Sequence, residues 1–140
     1  MATSATGFNQ LIIDEFRANE GRVGGQFEGA PLLLLHSTGA KSGAPRVNPL
    51  VYQAVGDSYA VFASVGGADH HPDWFHNVVA HPRIRIEVGA KELEVSARVA
   101  SDDERAPIWA RQKQLMPGFA EYEAGTPRRI PVVLLEPTTP

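Results

Sequence analysis

The sequence contains no cysteine. Disulfide bonds, thiolate zinc sites, iron–sulfur clusters and cysteine nucleophiles are therefore excluded. Long apolar runs are also missing, since the longest, Pro31 to Leu35, is far shorter than the roughly 20 residues that span a bilayer. The first residues lack the charged and apolar regions of a signal peptide, which predicts a disordered lead-in over 1–7 and one domain over 8–140. These absences favour a soluble, cytoplasmic protein.

A basic excess is absent as well. The 140 residues carry 13 Lys and Arg against 16 Asp and Glu, a net charge of −3. Nucleic-acid-binding domains usually show a strong basic excess, so the charge balance argues against a nucleic-acid partner. Charged residues at 21% and hydrophobic residues at 43% are typical of one globular domain with a single core.

The hydrophobic pattern predicts six strands and four helical pieces. The helices are predicted over 8–19, 73–80, 102–115 (capped by Ser101) and 116–123, and the strands over 32–36, 49–55, 59–64, 84–88, 93–99 and 131–135. Glycine-containing turns at Gly56 and Gly89 connect neighbouring strands as hairpins, which favours a mainly antiparallel sheet. Six strands in so short a chain predict a mainly β (α+β) fold, a small split barrel or roll with flanking helices.

The segment from Thr38 to Arg46 has the composition of an anion-binding loop. It contains two glycines, the hydroxyl residues Thr38 and Ser42 and the cationic residues Lys41 and Arg46, and no acidic residue lies anywhere between Gly29 and Gly56. Glycines let the backbone approach a ligand and point amides inward, and cationic side chains attract phosphate or carboxylate. It is not a P-loop, because Ala40 precedes the lysine and the loop joins two strands. A solvated polar hairpin loop fits the composition about equally well.

Further blocks, spaced in one order along most of the chain, accompany this loop. They read FEGAPLLLLH (27–36), TGAKSG (38–43), RVNPL (46–50), AS (63–64), GG (66–67), HPDWFHN (71–77) and RIPVV (129–133). Together they resemble the deazaflavin-dependent nitroreductase family, which are split-barrel reductases of the FMN-binding type that use coenzyme F420. The resemblance implies hydride transfer from the reduced deazaflavin to an electron-poor acceptor such as a quinone, a nitro compound or another conjugated ring.

The resemblance also implies a set of coenzyme-binding residues. The anionic tail, with its phosphodiester and glutamates, would lie against the loop, and the deazaflavin ring would lie along the next strands and the start of the central helix. The implied contacts are Ala40, Lys41, Ser42, Arg46, Val47, Asn48, Pro49, Leu50, Val51, Phe62, Ala63, Ser64, Val65, Asp73, Trp74, Phe75, His76, Asn77 and Phe119. On pattern alone, Trp74 and Phe75 fit the core better than a ligand contact.

The acceptor side differs from the best-known nitroimidazole-reducing members. Those carry a tyrosine-rich lid, whereas Met116 and Phe119 replace two of the tyrosines here and leave Tyr122. Val65 stands where those members have a lysine. A quinone-like acceptor is therefore the safer expectation, with Ser64 and Tyr122 as candidate catalytic proton donors.

Other functions remain open at this stage. A flavin-dependent split barrel binding FMN is the main enzymatic alternative, and a non-catalytic barrel that carries F420 or a flavin is the main non-enzymatic one. His70, His71, Asp73 and His76 cluster, but no two histidines have the spacing of helical zinc ligands, so no metal site is predicted. Split barrels often pair, which allows a homo-oligomer, and reduction of a membrane quinone would bring the protein to the bilayer as a peripheral protein.

Overall fold

The computed structural model describes residues 3–24, 31–40, 42–63, 72–126 and 129–138. The helices are α1 (Thr3–Ala18), α2 (Asp73–Ala80), α3 (Asp102–Leu115) and α4 (Gly118–Ala124), and the strands are β1 (Leu32–Thr38), β2 (Pro45–Val55), β3 (Ser58–Phe62), β4 (Arg83–Val88), β5 (Lys91–Val99) and β6 (Val132–Pro137). The strands close into a barrel in the order β1-β2-β3-β6-β5-β4, and neighbouring strands are antiparallel. The predicted antiparallel split barrel with flanking helices is confirmed.

The barrel interior is filled by alternate residues of each strand. Because side chains alternate between the two faces of a strand, one set points inward throughout. The set includes Leu33, Leu35, Val61, Ile86, Val95, Val133 and Leu135, each at most 1% exposed. Trp74 and Val78 of α2 pack into the same cluster, so α2 closes one side of the barrel core.

Helices cover the outer face of the barrel at two separate places, α1 at one and α3 with α4 at the other. Ile12 and Phe16 of α1 pack on Leu34 of β1. On the other side, α3 and α4 pack on β3 and β6 through an aromatic cluster that includes Trp109. Val51 of β2 contacts both clusters and lies where they meet.

The lead-in predicted over residues 1–7 is wrong for residues 3–7, because α1 already begins at Thr3. The pattern predicted a start at Phe8, where the apolar period begins. No proline interrupts residues 3–7, and a single glycine at position 7 costs only about 1 kcal/mol in a helix. A helix can therefore extend beyond its amphipathic stretch.

Strand β2 is longer than its predicted range. It begins at Pro45, and its first seven residues, 45–51, pair with β1 from Thr38 back to Leu32. Pairing with β3 covers Tyr52 to Val55, and among the described residues no strand pairs with the β3 side of 45–51. Pro49 is tolerated inside the strand because it has no N–H to donate and its nitrogen faces this unpaired side, since the Tyr52 amide three residues on points toward the β1 side. Within the part of the chain that the structure describes, this stretch of β2 therefore has an open edge.

Helix α3 is fixed to β2 by buried amides. Gln53 Nε2 donates to the Ile108 carbonyl at 3.1 Å and to Gln112 Oε1 at 3.2 Å. Gln112 is 1% exposed and Gln53 is 6% exposed. Buried hydrogen-bonding groups are costly to leave unpaired, so these contacts define how α3, and α4 after it, lie on the barrel.

A carboxylate on β4 connects α1 to the barrel. Glu87 accepts two hydrogen bonds from Arg17, at 3.1 and 2.7 Å, and one from His36 Nε2 at 2.6 Å. His36 Nδ1 faces Arg85 Nη2 at 3.3 Å and accepts from it, which leaves Nε2 as the proton-bearing nitrogen. His36 thus acts as a hydrogen-bonded structural histidine.

This cluster predicts a stability change at acidic pH. The hydrogen bonds from Arg17 and then His36 lower the pKa of Glu87 from 4.5 to about 2. A depressed carboxyl pKa stabilises the fold above pH 4.5, and this contribution is lost as the pH falls toward 2. We expect the wild type to have a higher free energy of unfolding than Glu87→Gln at neutral pH. Urea unfolding of both proteins from pH 7 to pH 2.5 measures the difference.

That difference should shrink as the pH falls below 4.5. Glu92→Gln is the matched control, because Glu92 lies on an exposed surface pair with Arg85 and such pairs contribute little. A constant difference between wild type and Glu87→Gln across the whole range would contradict the assignment.

Candidate active site

The loop between β1 and β2 is a closed turn stabilised by its own backbone. The Gly39 amide donates to the Ala44 carbonyl at 2.8 Å, and the Gly43 amide donates to the Gly39 carbonyl at 2.9 Å. The Ala44 amide donates to Ser42 Oγ at 3.1 Å. Gly43 has φ +71°, a conformation that other L-residues rarely adopt.

Asn77 of α2 anchors this loop to the barrel end. Its Oδ1 accepts the Ala40 amide at 2.9 Å, and its Nδ2 donates to Ser37 Oγ at 3.2 Å. Asn77 is 6% exposed and Ser37 is 5% exposed, so the hydrogen bond between them is buried, whereas the one from the Ala40 amide is part-buried. One buried amide therefore joins β1, the loop and α2.

These contacts correct the expected role of the loop backbone. The amides of Gly39, Ala40, Gly43 and Ala44 already donate within the protein, so the expectation that the loop points its amides at a ligand is wrong for these four. Attraction for an anion must then come from side chains. Arg46 is exposed and has no ion-pair partner among the described residues. Lys41 lies outside the described residues.

An aromatic cluster lies farther along the outer face of the barrel. The Phe62 ring is 5.4 Å from Phe119 and 5.9 Å from Trp109, measured between centroids. Tyr122 is half-buried at its edge, 5.1 Å from Phe119, and Met116 packs against the same group. Phe62 and Phe119 are each 6% exposed, so their rings are packed against other side chains and only their edges reach the surface of this wall.

Glu123 joins α4 to α3 beside this wall. Its carboxylate accepts from Trp109 Nε1 at 2.7 Å and pairs with Lys113 at 3.1 Å. These hydrogen bonds lower the pKa of Glu123 even though partial burial opposes the shift. The short helix that carries Phe119 and Tyr122 is thereby fixed against α3.

The open edge of β2 connects the two zones. Arg46 lies near its start and Val51 lies at the meeting point of the helical clusters, five residues later. Five residues of extended strand span about 17 Å. The exposed edge offers backbone donors and acceptors between a cationic end and an apolar end.

The structure places the coenzyme contacts predicted from the sequence in different surroundings. Ala40 hydrogen-bonds to Asn77, and the Phe62 ring contacts Phe119. Val47 and Val51 are half-buried and pack against the α1 cluster. Ala63 and Trp74 belong to the barrel core, and Leu50 and Phe75 are partly buried against it. Asn48 and Pro49 are partly exposed on β2, and Ser42, Asp73 and His76 are exposed. Lys41, Ser64 and Val65 lie outside the described residues, as do His70 and His71.

Sequence reasoning missed the anchoring role of Asn77. The buried residues of α2 are Trp74, Asn77 and Val78, which is the i, i+3, i+4 spacing of one helix face. A polar amide on an otherwise apolar face was the available signal, because a buried amide requires partners. Its partners on β1 and in the loop could not be identified before the fold was known.

These residues fit the chemistry of a deazaflavin coenzyme. The anionic tail requires cations, which Arg46 supplies, and the planar ring requires an apolar wall next to hydrogen-bonding groups, which Val51, the aromatic cluster and the β2 edge supply. In the part of the chain that the structure describes, no three acidic, histidine or cysteine side chains group together as metal ligands. Nor is any described helix long and apolar enough to cross a membrane.

Comparison with known proteins agrees with this site. Residues 10–137 match the family model of F420H2-dependent quinone reductase. An F420H2-dependent quinone reductase of Mycobacterium tuberculosis is 40% identical over 124 residues, which cover 86% of this chain and 83% of that protein.

Two solved structures are similar as well. One is an F420H2-dependent reductase, FDR-A, with a TM-score of 0.69 and 39% identity, covering 76% of this chain and 94% of that one. The other, described as a domain-swapped dimer, has a TM-score of 0.71 and 34% identity, and it covers 95% of this chain and 100% of that one. The sequence left open whether the coenzyme is F420 or FMN, and whether the protein is a reductase or a non-catalytic carrier. The family supports F420 and a reductase. The chain therefore belongs to the F420H2-dependent quinone reductase family, whose coenzyme is the deazaflavin F420.

Proposed function

We propose that this protein reduces a quinone with a hydride from reduced F420 bound along the open edge of β2. The observation that carries the proposal is the continuity of this edge with Arg46 at one end and with the Val51 and Phe62 wall at the other. A ligand with an anionic tail and an apolar planar head matches both ends at once.

The residues have distinct tasks in this arrangement. The reduced deazaflavin supplies a hydride, passing two electrons together as a nicotinamide does. Arg46 holds the anionic tail, while Asn77 acts as a positioning residue by holding the loop in place. Phe62 and Phe119 exclude water at the apolar end, which favours direct transfer between bound reactants.

A proton must reach the reduced acceptor, because a quinone gains two electrons and two protons in becoming a hydroquinone. Ser64 and Tyr122 are the candidates from the sequence. Tyr122 lies half-buried beside Phe119, with their ring centroids 5.1 Å apart, at the apolar end where we place the deazaflavin ring. We assign it as the proton donor for one of the quinone oxygens.

Location and assembly follow as further parts of the proposal. The acceptor that the family's name implies is a small molecule. We extend the proposal to a soluble, cytoplasmic enzyme that associates peripherally with the bilayer when its quinone is a membrane quinone. A neighbour that is 34% identical is a domain-swapped dimer, which supports a homo-oligomer for this chain also.

A reductase assay tests the function. We expect purified protein to oxidise reduced F420 when a short-chain quinone is added. The absorbance of the oxidised deazaflavin measures the rate. Tyr122→Phe should lower kcat about 100-fold with little change in coenzyme affinity, because general acid catalysis contributes about 10²–10⁴-fold. Absence of oxidation across a panel of quinones would contradict the proposed function. An unchanged kcat in Tyr122→Phe would show that Tyr122 is not the proton donor and would leave Ser64 as the candidate.

A further inference from the structure

One face of α4 carries the two aromatic residues of the proposed acceptor side together with a carboxylate. Phe119, Tyr122 and Glu123 have the i, i+3, i+4 spacing that places side chains on one face of a helix. Phe119 packs against Phe62 and Trp109, and Tyr122 lies at the edge of that aromatic wall. Glu123 therefore meets α3 on the same side of α4 that presents Tyr122.

Glu123 holds two side chains of α3 at once. Its Oε2 accepts from Trp109 Nε1 at 2.7 Å, and its Oε1 accepts from Lys113 Nζ at 3.1 Å. The Lys113 and Glu123 side chains are 35% and 42% exposed, and ion pairs of this kind contribute little. Trp109 is 3% exposed, and a hydrogen bond to a charged acceptor is stronger than one between neutral groups. The contact with Trp109 is therefore the main tie between the two helices.

Trp109 is itself held in place, which makes it a firm point of attachment. The Arg105 guanidinium lies 5.0 Å from the centre of its ring, and Arg105 Nε donates to the Ile130 carbonyl at 2.9 Å. The Phe62 and Phe119 rings lie 5.9 and 6.0 Å from it, measured between centroids. Loss of the carboxylate contact would therefore release α4 and leave the Trp109 ring where it is.

Helix α4 has little stability of its own. It contains seven residues, and helices this short are marginal in water without tertiary contacts. Its N-cap is Pro117, which makes no side-chain capping hydrogen bond. The position of the Tyr122 side chain thus depends on how α4 is held against α3.

We propose that Glu123 is a positioning residue for reduction of the acceptor. Through Trp109 it holds α4 where the Tyr122 hydroxyl reaches a quinone oxygen, and it acts through Tyr122 rather than on the reacting atoms. The inference rests on the proposed function, because it concerns the proton that Tyr122 donates there. It assigns to Glu123 an effect on turnover of the acceptor that binding of the coenzyme does not share.

Steady-state kinetics with a short-chain quinone test the proposal. Glu123→Leu should lower kcat about tenfold, because a displacement of about 1 Å near the reacting groups can cost up to about 100-fold. An interaction that matters only during the reaction lowers kcat and spares binding, so the Kd for F420 should stay within about twofold of the wild type. Glu123→Gln keeps an oxygen for Trp109 Nε1 and should retain most of the wild-type kcat.

The same substitution in a Tyr122→Phe background separates positioning from stability. Once the Tyr122 hydroxyl is gone, a residue that acts through it has nothing left to position, so Glu123→Leu should not lower kcat further. A general loss of stability would lower kcat in both backgrounds. Trp109→Phe removes the donor to Glu123 but keeps an aromatic ring, and it gives the same comparison if Glu123→Leu does not fold.

Glu121 provides the matched control, because it is an exposed glutamate on the same helix. Glu121→Leu makes the same chemical change without touching Trp109 and should leave kcat unchanged. A fall in kcat as large as that of Glu123→Leu would overturn the positioning role.

A wild-type kcat in Glu123→Leu, an equal fall in both backgrounds, or a wild-type kcat in Tyr122→Phe would also overturn it, and each leaves the proposed quinone reduction intact. Absence of quinone reduction by the wild type would overturn both. A fall in kcat that Glu123→Gln largely restores, and that disappears in the Tyr122→Phe background, supports the assignment.

Discussion

Asn77→Leu should weaken coenzyme binding about tenfold or more. Leucine has nearly the shape of asparagine and matches the apolar face of α2, but it removes the acceptor for the Ala40 amide and the donor to Ser37 Oγ. A buried donor left without a partner costs about 1–3 kcal/mol. The loop would leave its anchored position to solvate that amide, and Arg46 would move with it. Fluorescence titration with F420 measures the effect.

A graded series separates positioning from stability. Ser37→Ala removes the longer hydrogen bond alone and should have a smaller effect, whereas Asn77→Asp keeps an acceptor for the Ala40 amide and should retain more affinity than Asn77→Leu. The free energy of unfolding is measured for each variant. If Asn77→Leu lowers stability but binds the coenzyme as tightly as the wild type, the anchor is structural alone.

Arg46→Ala should lower the affinity for F420 by about 1.5–3 kcal/mol, which corresponds to roughly 10- to 150-fold in Kd. The loop amides of Gly39, Ala40, Gly43 and Ala44 are already used, so a side chain must hold the anionic tail. Arg46→Lys keeps the charge but loses the forked geometry, and it should lie between the wild type and the alanine variant. Isothermal titration at two salt concentrations measures these differences.

The same variant distinguishes charge from packing. A deazaflavin cut back to its ribityl chain carries no phosphate, so Arg46→Ala should bind it as the wild type does. Arg22→Ala, with an exposed arginine elsewhere, should leave both affinities unchanged. Equal affinity of Arg46→Ala and wild type for full-length F420 would show that the loop is merely solvated.

Much of the fold was predictable because local pattern and tertiary structure agree. Helix α2 spans the predicted range 73–80, and both hairpin turns carry glycine at positive φ, at Gly56 and Gly89. The start of α1 and the length of β2 were not predictable in the same way. Neither Gly7 nor Pro49 ended its element, since a helix tolerates one glycine and a strand tolerates proline where one edge is open.

The candidate site was likewise predictable only in part. Composition predicted an anion-binding loop at Thr38 to Arg46, and the spaced blocks indicated the family and its coenzyme. The position of Asn77 under the loop joins residues 37 positions apart in the chain, and the open edge of β2 depends on strand register.

The sequence by itself therefore determined the chemistry of this protein: the cations, the apolar strands and the absence of thiols are properties of residue types. The tertiary structure decided which of these groups remain available to a ligand. Closing the barrel uses the loop amides internally and separates β1 from β4 beyond His36 and Arg85. Because the loop amides hydrogen-bond within the protein, the proposed function relies on the side chain of Arg46 to hold the anionic tail.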